Sequence, residues 1–426
     1  MKNKRKMMSM IVLVISLVIV VFTYLNENNS YEKKTINEPN KVTKGIALNL
    51  EQTEGAGDYK LVTQSNWPTD GYKFNSELSR CENGSKLSWD DTKKTVVFSG
   101  NVSDKCYVYF DIFIPSIADA CASGQSLSDC VISYSQYGSD ISKIYYHDST
   151  LANGAGDNSY RYAGLQRRVN NFVCFGSDAT PCPTDNLYRI VGVFGENYHG
   201  VSGKQLVKLI KYDYMTTDEL GTDGDYYGAY TVGDSTYKGN NYANIASYYW
   251  NNSTQTNIWS KSNLNKTNLN TNFINYLGTE WSNKIALTTW KVGGNTWINI
   301  AESIPSVTYS NEIINPDATE YQAKIGLMYV IDYGFAASPS AWNLIMYNYD
   351  YEKATSNNWM YMGLHEWTIS RDADTSSYAF SVSRVGGVGE GRVYDYHAGR
   401  AVFNLVSSVT YKSGKGTMSE PITINL

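Results

Sequence analysis

The first pattern along the chain is an apolar run close to its N-terminus. Residues 7–25 are apolar except for Ser9, Ser16 and Thr23, and the run approaches the roughly 20 residues that cross the hydrocarbon core of a bilayer. Four basic residues and no acidic residue precede it. Because basic flanks stay in the cytoplasm, we predict a cytoplasmic tip and transmembrane anchor at residues 1–26. Everything after the anchor is then extracellular, and residues 7–25 contact membrane lipid.

A cleaved signal peptide and a buried soluble helix are the alternatives for this run. A signal peptide has a shorter apolar core and small residues at its cleavage site. Here the run ends in Phe22-Thr23-Tyr24-Leu25-Asn26, which is bulky, so the uncleaved anchor is favoured. Residues 27–56 are polar and show no period, which predicts a stalk linker.

Short β-prone runs separated by turn residues follow this linker. They lie at residues 87–89, 95–98 and 106–113 and are typical of strands joined by tight turns. We therefore predict a small β-sandwich-like module at residues 57–115. A domain of about 60 residues has a marginal core, so a disulfide would help to hold it together.

Residues 116–426 combine strands with a helical interval, which predicts a lead-in and a larger β-rich α+β domain. The runs Leu187–Phe194 and Leu206–Ile210 are expected to pair as a hairpin. Further strands are predicted at residues 325–331, 367–370, 379–383 and 401–405. Helical spacing with Thr267 or Asn268 as the N-cap places five residues on one face: Leu269, Phe273, Ile274, Leu277 and Trp281.

All six cysteines lie in the predicted extracellular part, and an even number in that compartment indicates disulfides. The simplest pairing is sequential because each bridge then closes a local loop: Cys81–Cys106, Cys121–Cys130 and Cys174–Cys182. Free thiols are the main alternative. The closely spaced cysteine pairs of a zinc site do not occur, so we expect neither a metal nor a cofactor.

The charge of the chain argues against nucleic acid as a partner. The whole sequence has 36 Lys and Arg against 41 Asp and Glu. Without the four basic residues before the anchor, 32 basic residues face 41 acidic ones, a net charge of −9. Nucleic-acid binding needs basic patches, which this balance does not favour.

The Cys81–Cys106 module is one of several segments with a recognisable sequence. The others lie at residues 159–162, 171–176, 186–194, 325–334, 359–363, 366–371 and 413–417. Together these segments resemble a large family of uncharacterised, membrane-anchored surface proteins from low-GC gut Gram-positive bacteria. The C-terminal part also resembles C-type-lectin-like folds, including the formylglycine-generating branch, through Gly399-Arg400-Ala401-Val402-Phe403. Ala401 stands where that pattern has proline. The chemistry of that branch needs late cysteines, and none follows Cys182.

An aromatic set in an Asn-rich segment is the predicted ligand-binding site. Rigid aromatic side chains offer contact area at a low entropic cost, and neighbouring Asn and Ser residues add adaptable hydrogen bonds. With Arg371 beside them, the aromatic residues are Tyr347, Tyr349, Tyr351, Trp359, Tyr361 and Trp367. The alternative is that Trp359 and Trp367 are core residues that flank a turn. Asp332 and Glu366 are two carboxylates that we also predict to bind the ligand.

These features predict a cell-surface binding protein that recognises a glycan or a protein ligand, in the manner of an adhesin. An exported hydrolase acting on polysaccharide through Asp332 and Glu366 is one alternative, since paired carboxylates perform glycoside hydrolysis. A structural envelope protein is another. The four histidines are scattered and lack the spacing of a catalytic metal site.

Overall fold

The computed structural model describes residues 33–35, 46–53, 55–64, 66–68, 71–195, 204–230, 236–239, 245–315, 318–349 and 356–425. The chain separates into two compact units, Met1–Ile114 and Pro115–Leu426. This division lies one residue from the boundary predicted between residues 115 and 116. The predicted anchor at residues 7–25 falls outside the described residues. Within the described ranges, no helix has the length and apolar character needed to cross a membrane.

The described residues of the first unit form two β-sheets. Its strands are β1 (Lys33–Thr35), β2 (Ile46–Glu51), β3 (Tyr59–Val62), β4 (Tyr72–Phe74), β5 (Arg80–Cys81), β6 (Lys86–Asp90), β7 (Thr95–Ser99) and β8 (Cys106–Ile112). One sheet has the order β1-β7-β6, and the other has the order β3-β2-β8-β4, with β5 also paired to β8. Apolar residues of both sheets share one core, because alternate side chains of each strand point to the same face.

The prediction of a stalk linker is wrong for the residues of strand β2. Residues 27–56 were expected to be an unstructured stalk, yet Ile46, Leu48 and Leu50 are buried and β2 runs parallel to β8 in the middle of the sheet. The alternation of apolar and polar residues is present in this segment. It was missed because only three apolar side chains in a polar surrounding carry it.

The second unit contains the remaining strands. They are β9 (Ile144–His147), β10 (Ser159–Tyr162), β11 (Phe172–Cys174), β12 (Leu187–Phe194), β13 (Leu206–Lys211), β14 (Tyr226–Ala229), β15 (Ala246–Tyr249), β16 (Thr288–Val292), β17 (Gly294–Asn295), β18 (Thr319–Ala323), β19 (Ile325–Gly326), β20 (Glu366–Asp372), β21 (Tyr378–Val382), β22 (Val388–Arg392), β23 (Tyr396–His397), β24 (Val402–Asn404), β25 (Tyr411–Ser413) and β26 (Thr423–Ile424).

Short helices connect these strands. The α-helices are α1 (Ile117–Ala120), α2 (Leu127–Ser135), α3 (Ser139–Ser142), α4 (Thr217–Leu220), α5 (Ile274–Ser282), α6 (Trp297–Ile300), α7 (Pro305–Tyr309) and α8 (Val330–Ala336). Two π-helical segments, Leu264–Phe273 and Ser310–Ile314, run into or out of α-helices. Single 3₁₀ turns lie at Thr184–Asn186, Trp259–Lys261, Pro339–Ala341 and Met346–Asn348. The unit is a β-rich α+β structure, as predicted.

A seven-stranded sheet forms the centre of the second unit. Its order is β19-β24-β13-β12-β10-β9, with β11 also paired to β12. Every residue of β12 and β13 is buried, which explains why their sequences are nearly continuous apolar runs, as in sheets covered on both faces. The predicted hairpin of these two strands is confirmed by their antiparallel register.

The buried face predicted for the helical interval is confirmed, but the predicted N-cap is wrong. Ile274 is half-buried, and the other four predicted face residues are buried: Leu269, Phe273, Leu277 and Trp281. The helical segment begins at Leu264, so Thr267 and Asn268 lie inside it. Its first amides are bound by Asp225, which accepts from Asn263 N at 2.8 Å and from Leu264 N at 2.9 Å. A carboxylate 38 residues away in sequence therefore does the work expected of a local cap.

The strand predicted at residues 325–331 is wrong beyond its first two residues. Only Ile325–Gly326 of this run pairs as a strand, and Val330–Ala336 forms α8. Glu312 accepts hydrogen bonds from Val330 N and Ile331 N, so a distant carboxylate stabilises a helix start where the apolar run alone suggested a strand.

The other strand predictions overlap β20, β21 and β24. All three predicted disulfides are confirmed: Cys81–Cys106, Cys121–Cys130 and Cys174–Cys182.

Candidate functional site

Most of the aromatic residues predicted to bind a ligand lie in the core. Tyr349, Trp359, Tyr361 and Trp367 are buried, and Tyr351 falls outside the described residues. The polar atoms of the buried residues bind backbone carbonyls. Trp359 Nε1 donates to the Tyr162 oxygen at 2.8 Å, Trp367 Nε1 to that of Tyr248 at 2.8 Å, Tyr349 to that of Ala341 at 3.1 Å, and the Tyr361 hydroxyl to that of Arg384. The expectation of an exposed aromatic loop is therefore wrong for these four residues, and the alternative that Trp359 and Trp367 are core residues is confirmed.

Tyr347 is the described member of the predicted aromatic set that reaches the surface, with 53% of its area exposed. Its ring meets the Trp297 ring edge-on at 5.5 Å. Arg371 lies elsewhere, on β20, where it is half-buried and its guanidinium approaches Val292 O and Thr319 Oγ1 at 3.5 Å each. The structure thus distributes the predicted set over the core and the surface.

The two candidate carboxylates are buried in ion pairs. Asp332 lies 3.1 Å from Lys208 Nζ, and Glu366 lies 2.7 Å from Arg400 Nε. A second contact, from Arg400 Nη2 to Glu366 Oε2 at 2.9 Å, makes the second pair bidentate. Burial raises the pKa of Glu366, and Arg400 opposes that rise. Carboxylates held in this way are not presented to a polysaccharide at the surface, which disfavours the hydrolase hypothesis.

Three other tyrosines form a surface feature that the sequence did not reveal. Tyr227, Tyr249 and Tyr396, here called the tyrosine cluster, come from β14, β15 and β23. The Tyr227 and Tyr396 rings stack in parallel with centroids 3.8 Å apart, and Tyr249 meets Tyr227 edge-on at 5.4 Å. Tyr227 is 46% exposed and Tyr396 is 47% exposed. A contiguous exposed aromatic group of this kind marks a candidate interaction site.

The sheet β14-β15-β23 explains why these tyrosines share one face. Tyr249 pairs with Tyr396 across the strands, and neighbouring residues of a strand point to opposite faces. Tyr248 is therefore buried, with its hydroxyl donating to Gly221 O at 2.8 Å, while Tyr249 lies on the outer side. The doublets Tyr226-Tyr227 and Tyr248-Tyr249 are the sequence signal that could have indicated such a face.

Buried indoles fix the sheet to the core beneath it. Trp367 Nε1 binds the carbonyl of Tyr248, and Trp250 Nε1 donates to Thr368 O at 2.9 Å. The Trp367 ring also packs on His397 at 4.1 Å, one residue after Tyr396. Trp367 thus does not reach the surface of the candidate site. It packs beneath the strands that carry the tyrosine cluster and holds them in place.

The Tyr227 phenol is uncharged at neutral pH. A hydrogen bond with the Tyr396 hydroxyl raises the pKa of Tyr227 above its usual value near 10, so this phenol keeps its proton. The cluster therefore offers apolar ring surface together with hydroxyl groups that donate and accept hydrogen bonds. Such side chains suit ligands that have both apolar faces and polar edges.

Histidine and metal chemistry are not indicated at this site. His365 and His397 stack with ring centroids 5.2 Å apart, and burial together with the neighbouring His365 lowers the pKa of His397 to about 3. In the part of the chain that the structure describes, no group of three or more His, Cys, Asp or Glu side chains is placed to hold a metal ion.

Comparisons of the chain with protein-family models, with curated proteins and with solved structures gave no match.

Proposed function

We propose that this chain is a membrane-anchored, extracellular binding protein that recognises a glycan through the tyrosine cluster. The observation that carries the proposal is the exposed, parallel pair of Tyr227 and Tyr396 with Tyr249 beside it. Aromatic rings pack against the apolar faces of sugar rings, while the phenol hydroxyls can bind sugar hydroxyls. A sheet supported by buried indoles presents the rings with little loss of entropy on binding.

The charge of the chain supports a neutral glycan over an acidic one. The part after the predicted anchor has 41 acidic residues against 32 basic ones, and a surface of this sign repels anionic ligands. The cluster itself supplies phenol hydroxyls and no cationic side chain. We therefore expect uncharged hexose polymers to bind in preference to sialylated or sulfated ones.

The location of the protein rests on its N-terminal sequence and on its disulfides. Residues 7–25 have the length and flanking charge of an anchor, and three disulfides suit an oxidising compartment. The resemblance to surface proteins and to C-type-lectin-like folds agrees with this location. Alkaline washing of membranes would leave an anchored chain in the pellet, and release into the wash would contradict the anchor.

A glycan array probed with the full-length chain in detergent tests the binding proposal. We expect binding to neutral glycans, and we expect Tyr227→Ala and Tyr396→Ala each to weaken it by about tenfold, or about 1.4 kcal/mol. Tyr276→Ala is the matched control because Tyr276 is 43% exposed and lies on α5, outside the cluster.

Two results would overturn the proposal. One is glycan binding that Tyr227→Ala and Tyr396→Ala leave unchanged. The other is an array without binding together with specific capture of a protein partner that depends on Tyr227. The second result would keep the cluster as the site and replace the glycan by a protein ligand.

A further inference from the structure

A buried lysine and a buried aspartate face each other inside the second unit. Lys208, on β13, and Asp332, in the first turn of α8, are both almost fully inaccessible to solvent. Lys208 Nζ lies 3.1 Å from Asp332 Oδ1 and 3.2 Å from Oδ2. Because the two distances are nearly equal, the nitrogen lies between the two oxygens and faces the carboxyl carbon, Cγ.

A second carboxyl group belongs to the same cluster. Glu312 is fully buried and accepts hydrogen bonds from Val330 N at 3.1 Å and from Ile331 N at 2.9 Å, the two amides directly before Asp332. It also accepts a hydrogen bond from the Ser370 hydroxyl. Burial raises the pKa of Glu312 to about 7, and the nearby Asp332 adds to the rise. Glu312 can therefore both hold and release a proton at neutral pH.

The surroundings of Lys208 make its ammonium less stable than it is in water. Burial lowers the pKa of Lys208, and the neighbouring Arg161 lowers it further, while Asp332 and Glu312 act in the opposite direction. The rings of Phe194 and Tyr329 lie 4.5 Å and 5.0 Å from Nζ. In such a low-dielectric site, a neutral amine beside a neutral carboxylic acid avoids the desolvation cost of the separated charges.

We propose that Lys208 and Asp332 condense to an intramolecular amide. The proton of the ammonium passes to the carboxylate, and the Nζ lone pair attacks Asp332 Cγ. A C–N bond forms, the C–O bond of the protonated hydroxyl breaks, and one water molecule leaves. Glu312 takes the proton from the nitrogen and delivers it to the departing oxygen, so no oxidant or other reactant is needed.

Proximity and burial favour this reaction at the site. Reacting groups held about 3–3.5 Å apart behave as if they were present at very high concentration, and an amide removes two buried charges while keeping hydrogen-bonding groups. The product would join β13 to α8 across 124 residues of sequence. Such a cross-link in the central sheet would suit a protein exposed outside the cell.

Intact mass measurement of the folded full-length chain tests the proposal. With its three disulfides formed, the protein should weigh one water molecule less than its sequence predicts. After reduction and complete trypsin digestion, residues 205–211 should appear joined to residues 325–353 as one branched peptide, with no cleavage after Lys208.

Variants separate the amide from an ordinary ion pair. Lys208→Arg keeps the charge and should restore the lost water. Glu312→Gln should slow or prevent the loss, and Glu312→Asp should recover part of it. Lys211→Arg is the matched control, because Lys211 on the same strand forms a buried pair with Glu219 at 2.8 Å, and this variant should still lose one water molecule.

The wild-type measurement decides the question even if a variant does not fold. A wild-type mass that includes the water molecule, together with normal cleavage after Lys208, would overturn the proposal and leave a buried ion pair. Loss of water mapped to another pair of residues would also overturn it.

Discussion

Two aromatic regions of the second unit contain the same residue types and differ in their partners. In the buried region, around Trp359 and Trp367, each indole N–H donates to a backbone carbonyl and each ring contacts other core residues. In the tyrosine cluster, Tyr227 and Tyr396 stack on each other and leave almost half of their surface open to solvent.

The difference teaches that aromatic composition does not distinguish a binding site from a core. The buried region also holds charged groups that satisfy each other, such as Glu366 with Arg400, and Arg189 lies 4.5 Å from the Trp359 ring centroid. Exposure requires that no other element covers the ring. For the tyrosine cluster, it arises because β14, β15 and β23 turn one face outward.

The largest expected loss of stability follows from a substitution in the buried aromatic region. Trp359→Ala should lower the free energy of unfolding by about 3–5 kcal/mol, because it leaves a cavity in the core and removes the ring on which Arg189 packs. Chemical denaturation followed by circular dichroism measures the change. Tyr347→Ala, at an exposed residue of the same predicted set, should stay within about 0.5 kcal/mol. Equal losses in the two variants would contradict the distinction between them.

The second largest effect is a pH dependence of the free energy of unfolding, which arises from the buried carboxyl group of Glu312. The pKa of this carboxyl rises from 4.5 to about 7 on folding, so the folded state binds its proton more tightly than the unfolded state does. Its contribution is fully present below pH 4.5 and is lost as the pH rises through about 7, an effect on the order of 2–3 kcal/mol.

Urea denaturation at pH 4.5 and pH 8 measures this contribution. In Glu312→Gln the difference in unfolding free energy between the two pH values should shift by that amount, in the direction of greater relative stability at pH 8. An unchanged difference would show that Glu312 titrates normally. Tyr227→Ala should leave the pH dependence as it is in the wild type.

The smallest expected effect on stability belongs to the tyrosine cluster. Tyr396→Ala should cost about 1 kcal/mol or less, because it loses one stacked pair at the surface while the backbone of β23 keeps its hydrogen bonds. Thermal unfolding measures the change. A loss as large as that of Trp359→Ala would mean that the cluster belongs to the core, and it would remove the basis for a binding role.

Local patterns in the sequence were sufficient for several elements. The hairpin of β12 and β13 follows from two continuous apolar runs, and the strands β6, β7 and β8 of the first unit follow from short β-prone runs between turns. The three disulfides follow from pairing cysteines that are neighbours in sequence. The buried face around Leu269 and Trp281 follows from helical spacing.

Other features depend on partners far away in the sequence. The start of the segment Leu264–Phe273 depends on Asp225, and the change from strand to helix at Val330 depends on Glu312. No pattern within a short window contains these carboxylates. Strand β2 shows a short alternation in its sequence, but its place in the middle of the sheet depends on pairing with β8, about 60 residues later.

What the sequence by itself determined is the class of the fold and the alternation of inward and outward side chains, because these depend on the geometry of a few neighbouring residues. The sequence favoured the sequential disulfide pairing as the simplest of several connectivities, and the structure decided it. The tertiary structure alone decided which aromatics are covered and which charges are paired. Trp359 is buried by contacts with β10 and Arg189, and Lys208 meets Asp332 across 124 residues. Burial is a property of what packs over a side chain, and the chain brings those elements together only when it folds.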